Sequence, residues 1–356
     1  MATEVDEAKA EAFAGKMMDV LNNGMLTLMT SVGHQTGLFD AMAKLPASTS
    51  NQIADAAGLN ERYVREWLGS MVTGAIVDYD PEKKTYRLPP EHAGFLTRAA
   101  GPDNMAILSQ FIPLMGLVES QLIESFRNGG GVPYSEYGDF HRMMAETSAA
   151  VHDHKLIDTI LPLVPGLTGR LQSGIDVADI GCGSGHAINL MARTYPNSRF
   201  TGYDFSEEGI GRAREEATRM NLSNARFEQL DVATLRETAA YDLITVFDAI
   251  HDQAKPAVVL QNISHALRVD GTFFMIDVAA SSELGNNLEH PLGTFLYSIS
   301  TAHCMTVSLA LDGDGLGAMW GEEMAKRMLA EAGFEKVSVQ RIENDIFNNY
   351  YIATKE

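Results

Sequence analysis

The sequence predicts an α/β protein in two parts. A helical N-terminal region ends in a small hairpin, and a seven-stranded, mostly parallel sheet closed by an antiparallel C-terminal hairpin follows. Three observations carry this. From about residue 175, short apolar runs alternate with amphipathic helical stretches, the pattern of a parallel sheet covered on both faces. The first of those runs ends in glycines at alternate positions, Gly181, Gly183 and Gly185, just before a helical stretch. The first hundred residues lack the alternation and hold helical patterns with two short strand-like runs.

Residues 5–30 read as a long helix rich in Ala, Met and Leu, and the spacing of Val32 to Leu45 predicts a second. Ser48-Thr49-Ser50 can cap a short helix that Gly58 ends, and Asn60 can cap the next, which runs to Gly74. In that helix Val64, Trp67, Leu68, Met71 and Val72 form one continuous apolar stripe. AIVDY and TYRL read as strands around the turn DPEKK. Two helices plus a hairpin make a winged helix. Between Ser48 and Pro90 five basic residues face six acidic ones, and Arg62 and Arg65 alternate with Glu61 and Glu66. Nucleic-acid affinity rests largely on Lys and Arg at phosphates, so this module reads as a dimerisation element. Met17, Met18, Leu21, Met25 and Leu28 of the long helix are then expected to cross to a second copy.

At 356 residues the chain is longer than one typical domain. The expected division is a winged-helix dimerisation domain over 1–98, a helical linker and active-site lid over 99–165, and the ligand-binding sheet domain over 166–356. Net charge is −20, which opposes nucleic-acid partners. The acidic N-terminus lacks a secretory pattern, no run is apolar enough to span a membrane, and Cys182 and Cys304 make no disulfide framework. A cytoplasmic location with no membrane partner is expected.

In the second half, IDVADIG, SRFTGYDF, ARFEQLDV, YDLITVFDA and GTFFMIDVAA read as five strands, and EKVSVQRI with NNYYIATK as the closing hairpin. The glycine cluster lets the backbone turn sharply and lets a ligand lie against it, next to a helix N-terminus. Asp204 and Asp231 end the next two strands, and a carboxylate at Asp204 can accept both hydroxyls of a ribose.

Asp179 with the G-x-G-x-G run resembles the first motif of class I S-adenosylmethionine methyltransferases. Over nearly the whole chain the arrangement resembles the small-molecule O-methyltransferases of plants and bacteria and mycobacterial-type methyltransferases with winged-helix N-termini. The resemblance implies a Rossmann-like catalytic domain and S-adenosyl-L-methionine as cofactor, leaving S-adenosyl-L-homocysteine. FHRMMAETS reproduces that family's F-x-x-x-M-x-x-x-S segment, implying that Phe140, Met144 and Ser148 border the cofactor. Phe205, Val232 and Phe247 stand at the same strand ends. His251 and Asp252 match the histidine–aspartate pair in which the family's histidine is the general base, and an imidazole near neutral pKa suits removal of a hydroxyl proton.

The acceptor pocket is expected from a mobile loop at NGGGVPYSEYGDF, with Tyr134, Tyr137 and His141, and from an insert carrying His290, Tyr297, His303, Cys304 and Met305. His303 and Cys304 are adjacent and no pair has ligand spacing, so no metal is expected. The reading is O-methylation of a small molecule by a homodimer. S-methylation of a thiol or sulfide, and a regulator that senses S-adenosylmethionine, are the alternatives.

Overall fold

The computed structural model describes residues 5–355, which fall into two compact units, Met1–Leu114 and Met115–Glu356. In the first, helix α1 (Glu7–Gln35) starts at Asp6, whose side chain accepts the Lys9 N–H. It runs past the expected end at residue 30. The chain breaks only at Gly37, left-handed at φ +73°, so the predicted Val32–Leu45 helix shrinks to α2 (Leu38–Met42). Gly33 sits inside α1 because close packing requires it: a Cβ there would stand 2.6 Å from the Trp67 ring and 2.7 Å from Phe39. Trp67 also donates its Nε1 hydrogen to the Met29 carbonyl, 2.8 Å.

Helix α3 (Ser50–Ala57) carries a capping box between Thr49 and Gln52 and stops at Gly58, φ +66°. In α4 (Glu61–Thr73), Val64, Trp67, Leu68 and Met71 are buried against Leu38, Phe39 and Ile53. Strands β1 (Asp78–Asp80) and β2 (Thr85–Arg87) pair antiparallel and complete the winged helix. Arg62 and Arg65 are paired to Glu66 and Glu61. Along α1, Phe13, Met17, Met18, Leu21 and Met25 are exposed.

The second unit holds a seven-stranded sheet built from β3 (Asp176–Ile180), β4 (Arg199–Asp204), β5 (Ala225–Gln229), β6 (Tyr241–Phe247), β7 (Leu267–Val278), β8 (Lys336–Gln340) and β9 (Asn348–Thr354). Their order is β5-β4-β3-β6-β7-β9-β8, with β3 to β7 parallel and β9 antiparallel to both neighbours. The final hairpin thus inserts its second strand beside β7 and leaves β8 at the edge. Side chains alternate between the two faces: Phe274 and Ile276 join the core around Ile188 and Ile210, whereas Phe273 and Met275 join the one around Leu260 and Leu329. Both faces are buried, which is why these strands read as near-continuous apolar runs. Among the described residues no helix is long and apolar enough to cross a membrane.

Candidate active site

The parallel strands end together along one edge, and the polar residues gather there. After β3, Gly181, Gly183 and Gly185 all take positive φ, +71°, +53° and +69°. A Cβ on Gly181 would meet Ala249 at 2.6 Å, and one on Gly185 would meet Ala213 and Phe227 at 2.5 Å. At Gly183 a Cβ would meet only open space. The loop is therefore packed at both ends and open in the middle, a surface against which a small ligand fits.

The Asp204 carboxylate, at the end of β4, accepts the Gly183 N–H at one oxygen and the Ser206 N–H at the other, both 2.8 Å. Burial raises its pKa, and those two backbone donors oppose the rise. Asp179 lies deeper. It accepts the Thr245 hydroxyl at 2.7 Å, and burial pushes its carboxyl up to about 7. Asp231 is exposed and caps the short turn Val232–Thr234, while Val232 is buried.

The helix Phe140–Val151 carries Phe140, Met144 and Ser148 four residues apart, hence on one face. Phe140 stacks on His303 at 3.9 Å between ring centres. Tyr134 joins Phe140, His141, Phe205 and His303 at 4.7–5.7 Å, and Tyr137 joins His303 at 4.7 Å. The glycine-rich segment before Tyr134, expected to be a mobile loop, is instead docked. A Cβ on Gly131 would lie 1.9 Å from the Thr306 carbonyl oxygen, the Val132 N–H donates to Thr306 Oγ1 at 2.9 Å, and the Tyr137 hydroxyl donates to the Ala302 carbonyl at 2.6 Å. Gly131 serves close packing there. The other side of this contact is a π-helical turn, Ser300–Cys304, a distortion common at functional sites.

His251 follows β6, where Asp248, left-handed at φ +52°, turns the chain. The imidazole is buried, and its Nδ1 donates to Asp277 Oδ1 at 2.7 Å. The Trp320 indole and the Val278 N–H donate to the same oxygen at 3.0 and 2.8 Å. On the other edge, Nε2 stands 3.3 Å from Asp252 Oδ1 without a directed hydrogen bond. Burial pulls the His251 pKa down, but the Asp277 and then the Asp252 carboxylates outweigh it and hold it well above the usual imidazole value. Burial pushes the neighbouring Cys304 thiol up to about 12 and pulls His303 down to about 4.

Sequence reasoning misses Asp277 and Trp320. A lone acid near the end of an otherwise apolar strand, GTFFMIDV, is the available signal for Asp277. Residues without ligand spacing along the chain do come together in the fold: His251, Asp252 and Cys304 each place one ligand atom within 4.8 Å of the others. Two expected pocket residues have hydrogen-bond partners of their own, and a third stands beside Gly317. His290 joins the Ala279 carbonyl and the Leu292 N–H, Tyr297 accepts from Asn287, and Met305 lies where a Cβ on Gly317 would touch it. An apolar insert offers many faces, and composition alone does not say which one turns toward His251.

Residues 171–340 match the family described as a methyltransferase domain, and residues 24–98 match the Rv2258c-like winged HTH domain. The second half of the chain thus carries a methyltransferase domain, and the first a winged-helix one. Over 155 residues the chain is 25% identical to the malonyl-[acyl-carrier protein] O-methyltransferase of Bacillus cereus, covering 44% of this chain and 52% of that one. The chain thus spans about half the length of the curated relatives it matches. The fold of the chain is similar to that of human N-acetylserotonin methyltransferase in complex with SAM (TM-score 0.70, 16% identity, 100% of each chain). It is similar also to the mitomycin 7-O-methyltransferase MmcR (TM-score 0.71, 18% identity, 98% of this chain and 100% of that one).

Proposed function

We propose that this protein is a methyltransferase that transfers the methyl group of S-adenosylmethionine to a hydroxyl oxygen of a small molecule, with His251 as general base. The observation that carries this is the buried His251–Asp277 contact at the strand ends, 2.7 Å long and braced by Trp320. Bound S-adenosylmethionine supplies an electrophilic methyl group on a sulfonium. The loop Gly181–Gly185 and Asp204 would hold it, with Phe140, Met144, Ser148, Phe205, Val232 and Phe247 around it and Asp179 and Asp231 below and beside the loop. Asp277 fixes the proton on His251 Nδ1, so Nε2 is the atom left to take the acceptor's proton. Both carboxylates, Asp277 and Asp252, stabilise the imidazolium so formed. With the His251 pKa held above the usual imidazole value by Asp277 and Asp252, activity is expected to rise with pH above the ordinary histidine range.

Tyr134, Tyr137, His141, His303 and Cys304 are proposed to wall the acceptor pocket. Oxygen and sulfur chemistry separate by product: turnover of a panel of phenols, hydroxy acids, thiols and sulfide with ¹³C-methyl donor, followed by NMR of the product, identifies the methylated atom. O-methyl products support the reading, and exclusive S-methyl products overturn it. The exposed apolar face of α1 is proposed to pair with a second copy.

A further inference from the structure

The face that carries Phe140, Met144 and Ser148 continues one step further, to His152. Here the helix widens into a π-helical stretch, His152–Ile160. The His152 ring lies 5.2 Å from that of Phe247, the last residue of β6. Its neighbours place it against the glycine loop: Asp153 Oδ1 is 2.9 Å from Nε2 of His186, the residue that follows Gly185, and Val151 packs into the same core as Cys182 and Phe247. The Nδ1 atom of His152 is buried and has no hydrogen-bond partner among the described residues. A buried polar atom left unpaired is costly, so it points to a ligand.

We propose that His152 binds the α-carboxylate of the cofactor's amino-acid end. This rests on the cofactor placement proposed above and extends it. The sheet order decides which end of the ligand is involved. Asp204, the ribose carboxylate, ends β4 on one side of the glycine loop, and Phe247 ends β6 on the other. A ligand with its ribose at Asp204 and its chain across the loop reaches His152 only with the amino-acid portion. That portion carries a carboxylate and an ammonium, and the carboxylate suits this position. The helix His186–Thr194 begins here, and its free N–H groups favour an anion. Burial, with repulsion from His186, holds the His152 pKa down at about 4, so a neutral imidazole offers one N–H rather than a second charge.

The test compares three ligands by calorimetry on the full chain. S-adenosylhomocysteine has both charged groups, S-adenosyl-3-thiopropylamine lacks only the carboxylate, and methylthioadenosine lacks the whole amino-acid end. The expected result is that His152→Ala weakens S-adenosylhomocysteine about ten- to a hundred-fold, the range of a hydrogen bond to a charged group. The other two ligands keep their wild-type affinities, which also shows that the variant is folded. His152→Gln, which retains an N–H, should recover most of the loss. Unchanged S-adenosylhomocysteine affinity in His152→Ala overturns the proposal, and so does an equal loss for all three ligands. Wild-type protein that binds none of them removes the cofactor placement itself.

Discussion

Replacing Asp277 by Asn keeps the side chain's shape and removes the charge that touches His251. The contact is buried and 2.7 Å long, and Asp277 is the first of the carboxylates that raise the imidazole's pKa. A hydrogen bond to a charged group contributes about 1.5–3 kcal/mol, and about 1.36 kcal/mol corresponds to one pH unit. The rising limb of the pH–rate profile should therefore move toward acid by roughly one to two pH units. The plateau should also fall, by about 10²–10⁴-fold, because the amide no longer stabilises the imidazolium or enforces the Nδ1–H tautomer. Stability carries a second signature. The folded pKa of His251 lies above its unfolded value near 6.5, so its contribution is fully present below about 6.5 and is lost as pH rises through the folded value. Thermal unfolding across pH should show that decline in the wild type and a flatter curve in Asp277→Asn. A variant with the same midpoint and the same plateau as wild type would refute the His251–Asp277 mechanism.

Asp204→Asn should weaken S-adenosylhomocysteine by roughly ten-fold or more in calorimetry, since the carboxylate's charge-assisted contacts to ribose hydroxyls contribute about 1.5–3 kcal/mol; unchanged affinity removes Asp204 from the site. Leu21→Glu with Met25→Glu puts charges on an exposed face of α1, so sedimentation should report a dimer for the wild type and a monomer for the variant, and a wild-type monomer at micromolar concentration contradicts the pairing. Protein dialysed against a chelator should keep its turnover, and added zinc should not raise it. Loss on chelation with recovery on zinc would make His251, Asp252 and Cys304 metal ligands instead.

Much of the fold was legible because its signals are local. Alternating apolar and amphipathic runs gave the parallel sheet, and Thr49, Gly58 and Asn60 marked helix ends by cap chemistry alone. The glycine loop was legible because positive φ and close packing leave few alternatives to Gly181 and Gly185. What escaped depends on distant partners. Asp277 reaches His251 from 26 residues along the chain and Trp320 reaches Asp277 from 43, and nothing in either local pattern names its target. Gly131 read as flexibility because its partner, Thr306, lies in a segment with no recognisable motif. The boundary between the first two helices lies at Gly37 rather than near residue 31, because residues 32–35 keep the apolar spacing of either helix and only the left-handed Gly37 separates them.

The most direct measurement is single-turnover methyl transfer to a hydroxyl acceptor by His251→Ala, with S-adenosylhomocysteine affinity measured on the same preparation. General-base catalysis at His251 requires a transfer rate lower by about 10²–10⁴-fold with cofactor affinity close to wild type. Wild-type rates on every hydroxyl acceptor that the enzyme turns over would contradict it and reduce His251 to part of the pocket wall.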